Sequence, residues 1–393
     1  MHKKNNYLSG LVAIICFAFI FFIPSISLSA SIKEYRVWKA LGARVAWESS
    51  QLTGHRLGTG DPIALTNAGY VEIDGYSTQG CMDGLTWRLG VTRGSNTLLE
   101  IHSRYDKALW FFIYYKKSGV GVYLEVNPEA IPGLVNKADK HGFSQIAGNK
   151  LRIPASQLFI RTAVEKIKAE HLFANAEKYN EKFKNKIFGG NEFRIVTIAN
   201  GVAAGAPAYA IRAFEFHDHY CPGVLSGILM VNYIKERFPL QSPDDRYFVL
   251  TVKPWCKEDA LIVLLNTTPG KRNYAVNNSS KEDIAQWKEE AKDATTIIFR
   301  QDGATKKWEG RLLGFSFNKA NEMHKFPDYG SNLLNKLYSV LWYMDYLDQP
   351  ELFVSVIKKF ELAEGEGPKD WARPGVNALE KLGLIRKKHK EQR

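Results

Sequence analysis

Apolar positions along the chain change their period several times, and each change marks an element. Residues 32–51 carry Val37, Leu41 and Val45 at helical spacing, with Leu52 continuing the series. A glycine-rich connection, TGHRLGTGD, leads to a short β-like run at 70–74 and then to GCMDGLTWRLGVTRGSNTLLEIH. The aromatic run ALWFFIYY at 108–115 and VGVYLEV at 120–126 read as strands, their rings forming a sheet core. Residues 128–190 are charged and spaced as helices, closed by Gly189-Gly190. FRIVTIANG at 193–201 reads as a return to β structure, followed by a helix, the strand YFVLTVK and the helix KEDALIVLL. From about residue 321 the pattern is helical again and ends in the basic run IRKKHKEQR, a solvated helix end.

These elements predict an α/β (α+β) fold, and an internal echo gives it organisation. Cys81 and Asp83 precede Thr92-Arg93-Gly94, and Cys256 and Asp259 precede Thr268-Pro269-Gly270. Each aspartate stands nine residues before its threonine, while the cysteines differ by one place. WKALGARVAWE also resembles GVLSGILMVNYIKE. The expectation is two related α/β lobes forming a pseudo-dimer, at 31–127 and 191–318. A helical linker at 128–190 joins them, and a helical basic tail at 319–393 follows.

The N-terminus changes the meaning of the charge. Lys3 and Lys4 precede an apolar run at 11–23, and Ser25, Ser27, Ser29 and Ala30 follow. That is the pattern of a secretory signal over residues 1–30. The run is shorter than the ~20 residues that span a bilayer, and the alternative is an uncleaved anchor at residues 8–24. The expected location is periplasmic or cell-envelope, with membrane contact only through that segment. The formal net charge of +12 would otherwise invite nucleic acid as a partner; export argues against it. The oligomeric state is left open.

Outside the signal segment three cysteines stand at 81, 221 and 256, an odd number that cannot complete a disulfide framework. The stretch FEFHDHYCPG places His217, His219 and Cys221 at every second position. In an extended segment they would share one face. Pro222 suits the first turn of a helix, which would put Cys221 at a helix N-terminus where the dipole favours thiolate. Cys256 stands at a second strand-to-helix corner. His217, His219, Cys221 and Cys256 together make an N₂S₂ donor set, suited to tetrahedral zinc and open to other divalent metals. Two other readings stay open at this point: a Cys221–Cys256 disulfide with incidental histidines, and a thiol–histidine pair. Either histidine can be a ligand or the orienter of one.

FHDHYCPGVLSGILMVNYI resembles the hallmark of the FmdE family, proteins named after formylmethanofuran dehydrogenase. PWCKEDALIVLLNTTPGK is similar to that family's second motif. The resemblance covers about 190–318 well and 36–127 more loosely, through GCMDGLTWRLGVTRG, Asp106-Lys107 and GVGVYLEV. It implies an α/β metal-binding fold, commonly with zinc. The chain departs from the family pattern in carrying Asp218 where a glycine is usual, in lacking the signature in its first half, and in its export signal.

Other motifs carry less. TPGK is not a phosphate-binding loop, because Leu265 stands where the first glycine belongs and Arg272 follows the lysine. GHRLGTG lacks the glycine order of a dinucleotide fingerprint and reads as a turn. Cys81 reads as a small buried hydrophobe, with a place beside His102 in a shared cleft as the alternative. Asp259 is expected to cap its helix or orient a histidine, and Trp255 to pack at the site mouth or in the core. A cleft between the lobes is expected, open near Cys221 and lined on its far side by at least one of Arg93, His102 and Lys107, which would suit a small anionic ligand. The alternative is a first lobe that merely packs, its turn and helix-cap residues kept for structure.

The sequence therefore predicts an exported protein binding a divalent metal, most simply zinc, and handling a metal or a small ligand. The alternatives are a metal-dependent enzyme with an open coordination position and Asp218 or His219 as proton carrier, or a Cys221/Cys256 thiol–disulfide redox protein.

Overall fold

A computed structural model describes residues 25–59, 61–131, 151 and 153–386. The apolar run at 11–23, residues 387–393 of the terminal basic run and part of the linker lie outside the described residues. Among the described residues no helix is long and apolar enough to cross a membrane.

The first lobe begins with helix α1 (Ser25–Thr53), followed by β1 (Pro62–Thr66), the short hairpin β2 (Glu72–Ile73) and β3 (Tyr76–Ser77), and helix α2 (Gly80–Leu89). Strands β4 (Leu98–Glu100), β5 (Trp110–Tyr115), β6 (Val120–Val126) and β7 (Phe159–Lys166) follow. The second lobe contains helices α3 (Glu192–Ala203), α4 (Ala208–Phe216), α5 (Pro222–Arg237) and α6 (Lys257–Leu265). Its strands are β8 (Arg246–Thr251), β9 (Tyr274–Val276), β10 (Ala294–Gln301), β11 (Trp308–Phe315) and β12 (Val354–Glu361), with helix α7 (Asn332–Met344) inserted before the last.

The two five-stranded sheets share one topology. The orders are β4-β1-β5-β6-β7 and β9-β8-β10-β11-β12. In each, the first pairing is parallel and the other three are antiparallel. Thr66 lies between Glu100 and Phe111 in the first sheet, as Thr251 lies between Val276 and Thr296 in the second.

The lobes meet through unlike faces. Helices α1 and α2 cover one face of the first sheet, where Trp38, Leu41, Cys81, Phe111 and Ile113 form a core. Its other face, with Leu65, Phe112 and Tyr114, packs on the helices of the second lobe, which rest in turn on Val249 and Ile298. The far face of the second sheet, with Phe248, Leu250 and Phe299, is covered by Trp371 and Leu379 from the C-terminal segment. Helices α3 to α6 are thus sandwiched between two sheets.

That placement accounts for the departures from the sequence reading. Residues 193–201, expected as a strand, belong to helix α3, which is buried from Ile195 to Gly201. A helix apolar all round loses the periodicity that separates it from a buried strand. The expected helical linker contains β7, and the expected helical tail contains β12. Both are edge strands with exposed polar residues, so neither carries the apolar run of a central strand.

Candidate metal centre

The second lobe brings two helix starts together. Gly227 lets α5 approach α6 closely: a Cβ on it would collide with the Lys257 carbonyl oxygen and stand 2.8 Å from the Ala260 Cβ. Cys221 is the N-cap of α5, with Pro222 in the first turn, and its Sγ accepts the Val224 N–H at 3.4 Å. Cys256 is the N-cap of α6. Gly223 leaves room at the junction, since a Cβ there would lie 3.0 Å from the Cys256 Sγ and 3.4 Å from the Cys221 Sγ.

The histidines arrive on a turn rather than a strand, which corrects the extended reading. His217 caps the C-terminus of α4, its N–H bonded to the Ala213 carbonyl. Asp218 then adopts a left-handed backbone, φ +67°, a conformation open to glycine and tolerated by aspartate. Tyr220 N–H donates to the Thr197 Oγ1 at 3.1 Å and fixes the exit into α5.

One donor atom from each of His217, His219, Cys221 and Cys256 lies within 4.8 Å of the others. His217 Nε2 is 3.8 Å from the Cys221 Sγ. Tetrahedral zinc with bonds of about 2.3 Å to sulfur and about 2.0 Å to nitrogen would set its donors roughly 3.3–3.8 Å apart. The cluster is therefore of the right chemistry and close to the right size to hold a metal ion. Both thiols are free, so the disulfide reading is not what the structure contains.

Each histidine is oriented by a carboxylate. His217 Nδ1–H donates to Asp259 Oδ2 at 2.6 Å, and His219 Nδ1–H donates to Asp218 Oδ1 at 2.7 Å. Both rings are left with Nε2 for a metal. Asp218 is held in turn by Arg194 Nη2 at 2.7 Å. Arg194 was not legible as a site residue, because its helix reads as a strand.

Electrostatics divides the two sulfurs. Burial disfavours a charged His217, but its hydrogen bonds to Asp259 and Cys256, and their charges, outweigh that and lift its pKa to about 9. The hydrogen bond from Cys221, followed by the one from His217, holds the Cys256 thiol well below the usual range. The bond to Cys256 and burial push Cys221 up. The helix-terminus argument applies to both cysteines; the hydrogen bonds favour the charged form at Cys256 over Cys221. Burial raises Asp218, but His219 and Arg194 together win and lower it.

Around this cluster, Trp255 donates from Nε1 to the Ser226 Oγ at 3.0 Å and packs near Phe317. Lys257 is fully buried beneath Trp255, paired with Glu258 and donating to the Lys253 carbonyl. Cys81 lies apart, wholly buried in the first lobe's core, with burial raising its pKa.

Arg93 and His102 do reach the second lobe, but they grip the end of α4. Arg93 donates from both terminal nitrogens to Glu215 at 3.2 Å. His102 donates its backbone N–H to the Glu215 carbonyl, places Nδ1 3.1 Å from the Phe216 carbonyl oxygen and stacks on the Phe216 ring. They thus hold the residues just before His217. Lys107 is joined to the Arg104 carbonyl through its backbone N–H.

Residues 216–340 match the sequence family described as "FmdE, Molybdenum formylmethanofuran dehydrogenase operon". They are an FmdE domain. The match begins one residue before His217 and takes in Cys256, so the whole donor set lies inside the FmdE domain. A comparison with curated proteins gave no match.

Proposed function

We propose that the FmdE domain of this protein holds one divalent metal ion on His217 and His219 Nε2 and the sulfurs of Cys221 and Cys256. Zinc suits the donor set best, since two thiolates and two imidazoles complete its tetrahedral shell. The observation that carries the reading is the pair of Nδ1–carboxylate bonds around a cluster whose donors lie within 4.8 Å. A disulfide pair has no use for two oriented imidazoles. A bound metal would supply positive charge and, for a ligand entering beside the quarter-exposed His219 ring, Lewis acidity. Four protein donors favour holding the metal over catalysis at an open position.

The first lobe is proposed to be a copy of the same unit without the site. Support comes from the shared strand order and from matched details. Gly90 and Asn266 both end a helix in left-handed conformation, and Asn96 and Arg272 both take it in the following turn. The helix-crossing glycines, Gly42 against the Cys81 carbonyl and Gly227 against the Lys257 carbonyl, support one register. Cys81 therefore corresponds to Lys257, and Gly80 to Cys256. Where the FmdE domain has Gly223 facing Cys256, the first lobe has Trp38 facing Gly80. Trp38 is buried there.

Export, with action in the cell envelope on a metal or a small metal-bearing ligand, is the setting proposed from the first thirty residues. Elemental analysis and thiol titration of protein purified without oxygen test the metal reading. One metal per chain with two protected thiols is expected. No metal and a reducible Cys221–Cys256 bridge would replace it with the redox reading.

A further inference from the structure

The turn Thr268-Pro269-Gly270-Lys271, rejected as a phosphate-binding loop on its spacing, borders a cavity of about 470 Å³. Five of the residues lining that cavity are cationic: Arg246, Lys271, Arg272, Lys369 and Arg373. One carboxylate, Asp370, faces them and is paired with Arg373 at 2.6 Å. Arg246 and Lys271 meet neutral amides, at Gln301 and Asn266. Trp308 forms a half-buried wall, with the Arg246 guanidinium 5.4 Å from its ring centre. Like charges gathered around a concave space repel one another unless an anion offsets them.

Backbone conformation adds a separate argument. Arg272 stands at φ +57°, in the left-handed region, at the place where the first lobe's matching turn has Asn96 at φ +55°. Asparagine adopts that conformation readily, and arginine does so at a cost of about 1 kcal/mol or more. A cation is held here against local preference.

We propose that this cavity binds an anionic group of the phosphate class, carrying at least two negative charges, on a molecule with a planar or apolar part laid on Trp308. Guanidinium groups match phosphate oxygens in pairs, and the volume suits a small ligand rather than a polymer. Phe248 in the cavity wall belongs to the far face of the second sheet, whereas Val249 beside it faces the helices carrying the metal donors. The site is therefore separated from the metal centre by the sheet, and it stands or falls independently of it.

The test uses the full chain and three probes: inorganic pyrophosphate, a nucleoside triphosphate, and vesicles containing an anionic phospholipid. The variant combines Arg272→Asn, which relaxes the turn, with Lys369→Gln. Saturable binding of either soluble probe, weakened at least tenfold in the variant with a melting temperature equal or raised and an unchanged metal content, supports a free phosphate ligand. Binding to vesicles alone, weakened in the same variant, supports the same chemistry on a lipid headgroup. Absence of saturable binding by all three, or binding that the variant leaves unchanged, overturns the proposal.

Discussion

Gly223 faces Cys256 so closely that a Cβ on it would lie 2.9 Å from the Cys256 Cβ. Both sulfurs border the same space. Gly223→Ala should therefore disturb the donor set while leaving the fold intact, because alanine in a helix is favoured over glycine by about 1 kcal/mol. The contact with the Cys256 Cβ costs about 1–3 kcal/mol against that gain, so the expected outcome is an unfolding midpoint lowered only modestly in the metal-free protein. Metal affinity measured by competition with a chelator should fall about 10- to 100-fold, the range for residues that orient ligands. Unaltered affinity would mean the space is not used.

The two carboxylates can be separated by substitution. Asp259→Asn weakens the partner of His217 and should lower metal affinity about 10- to 100-fold. Asp218→Gly removes the partner of His219 but suits the left-handed turn at φ +67°. It should cost affinity about tenfold without lowering the melting temperature. A loss of stability with no loss of affinity would reassign Asp218 to the turn alone.

Arg93→Ala tests what the first lobe does for the site. Glu215 is nearly buried, and it retains the Glu100 N–H at 2.9 Å and a contact with Arg212 when Arg93 is removed. The Arg93 side chain is itself 37% exposed, so the expected cost is only about 1–3 kcal/mol in chemical denaturation. Metal affinity should fall as well, because the end of α4 carries His217. A destabilised variant with full affinity would make the first lobe a scaffold only.

Gly80→Cys puts a cysteine at the first-lobe place proposed above to match Cys256. A Cβ there would meet the Trp38 Cβ and the Tyr35 carbonyl oxygen at 3.1 Å. The variant should lose about 1–3 kcal/mol through overpacking and gain no second metal by elemental analysis. A second equivalent of metal would show that the indole does not close the site.

Much of this was legible in the sequence because it rests on local signals. The strands around Phe112, Val122 and Val249 carry apolar runs, Pro222 and Lys257 open their helices at the expected places, and the four donors come together. The illegible parts depend on neighbours. Ile195 and Ile198 look like strand residues because α3 is wrapped on all sides. The turn at Asp218 replaces an extended segment through one left-handed residue, which spacing does not reveal. Arg194 reaches Asp218 across 24 residues, and no local motif announces it. The likeness of Asp83 and Asp259, with the cysteines offset by one place, was visible in the sequence. The crossing contacts of Gly42 with the Cys81 carbonyl and of Gly227 with the Lys257 carbonyl have the same offset.

The central claim is that His217, His219, Cys221 and Cys256 ligate one metal. X-ray absorption at the edge of the metal found by elemental analysis, on protein purified without oxygen, tests it most directly. The expected shell holds two sulfurs at about 2.3 Å and two nitrogens at about 2.0 Å, with one sulfur lost in Cys256→Ser. A shell of nitrogen and oxygen alone, or one unchanged in Cys256→Ser, would contradict it.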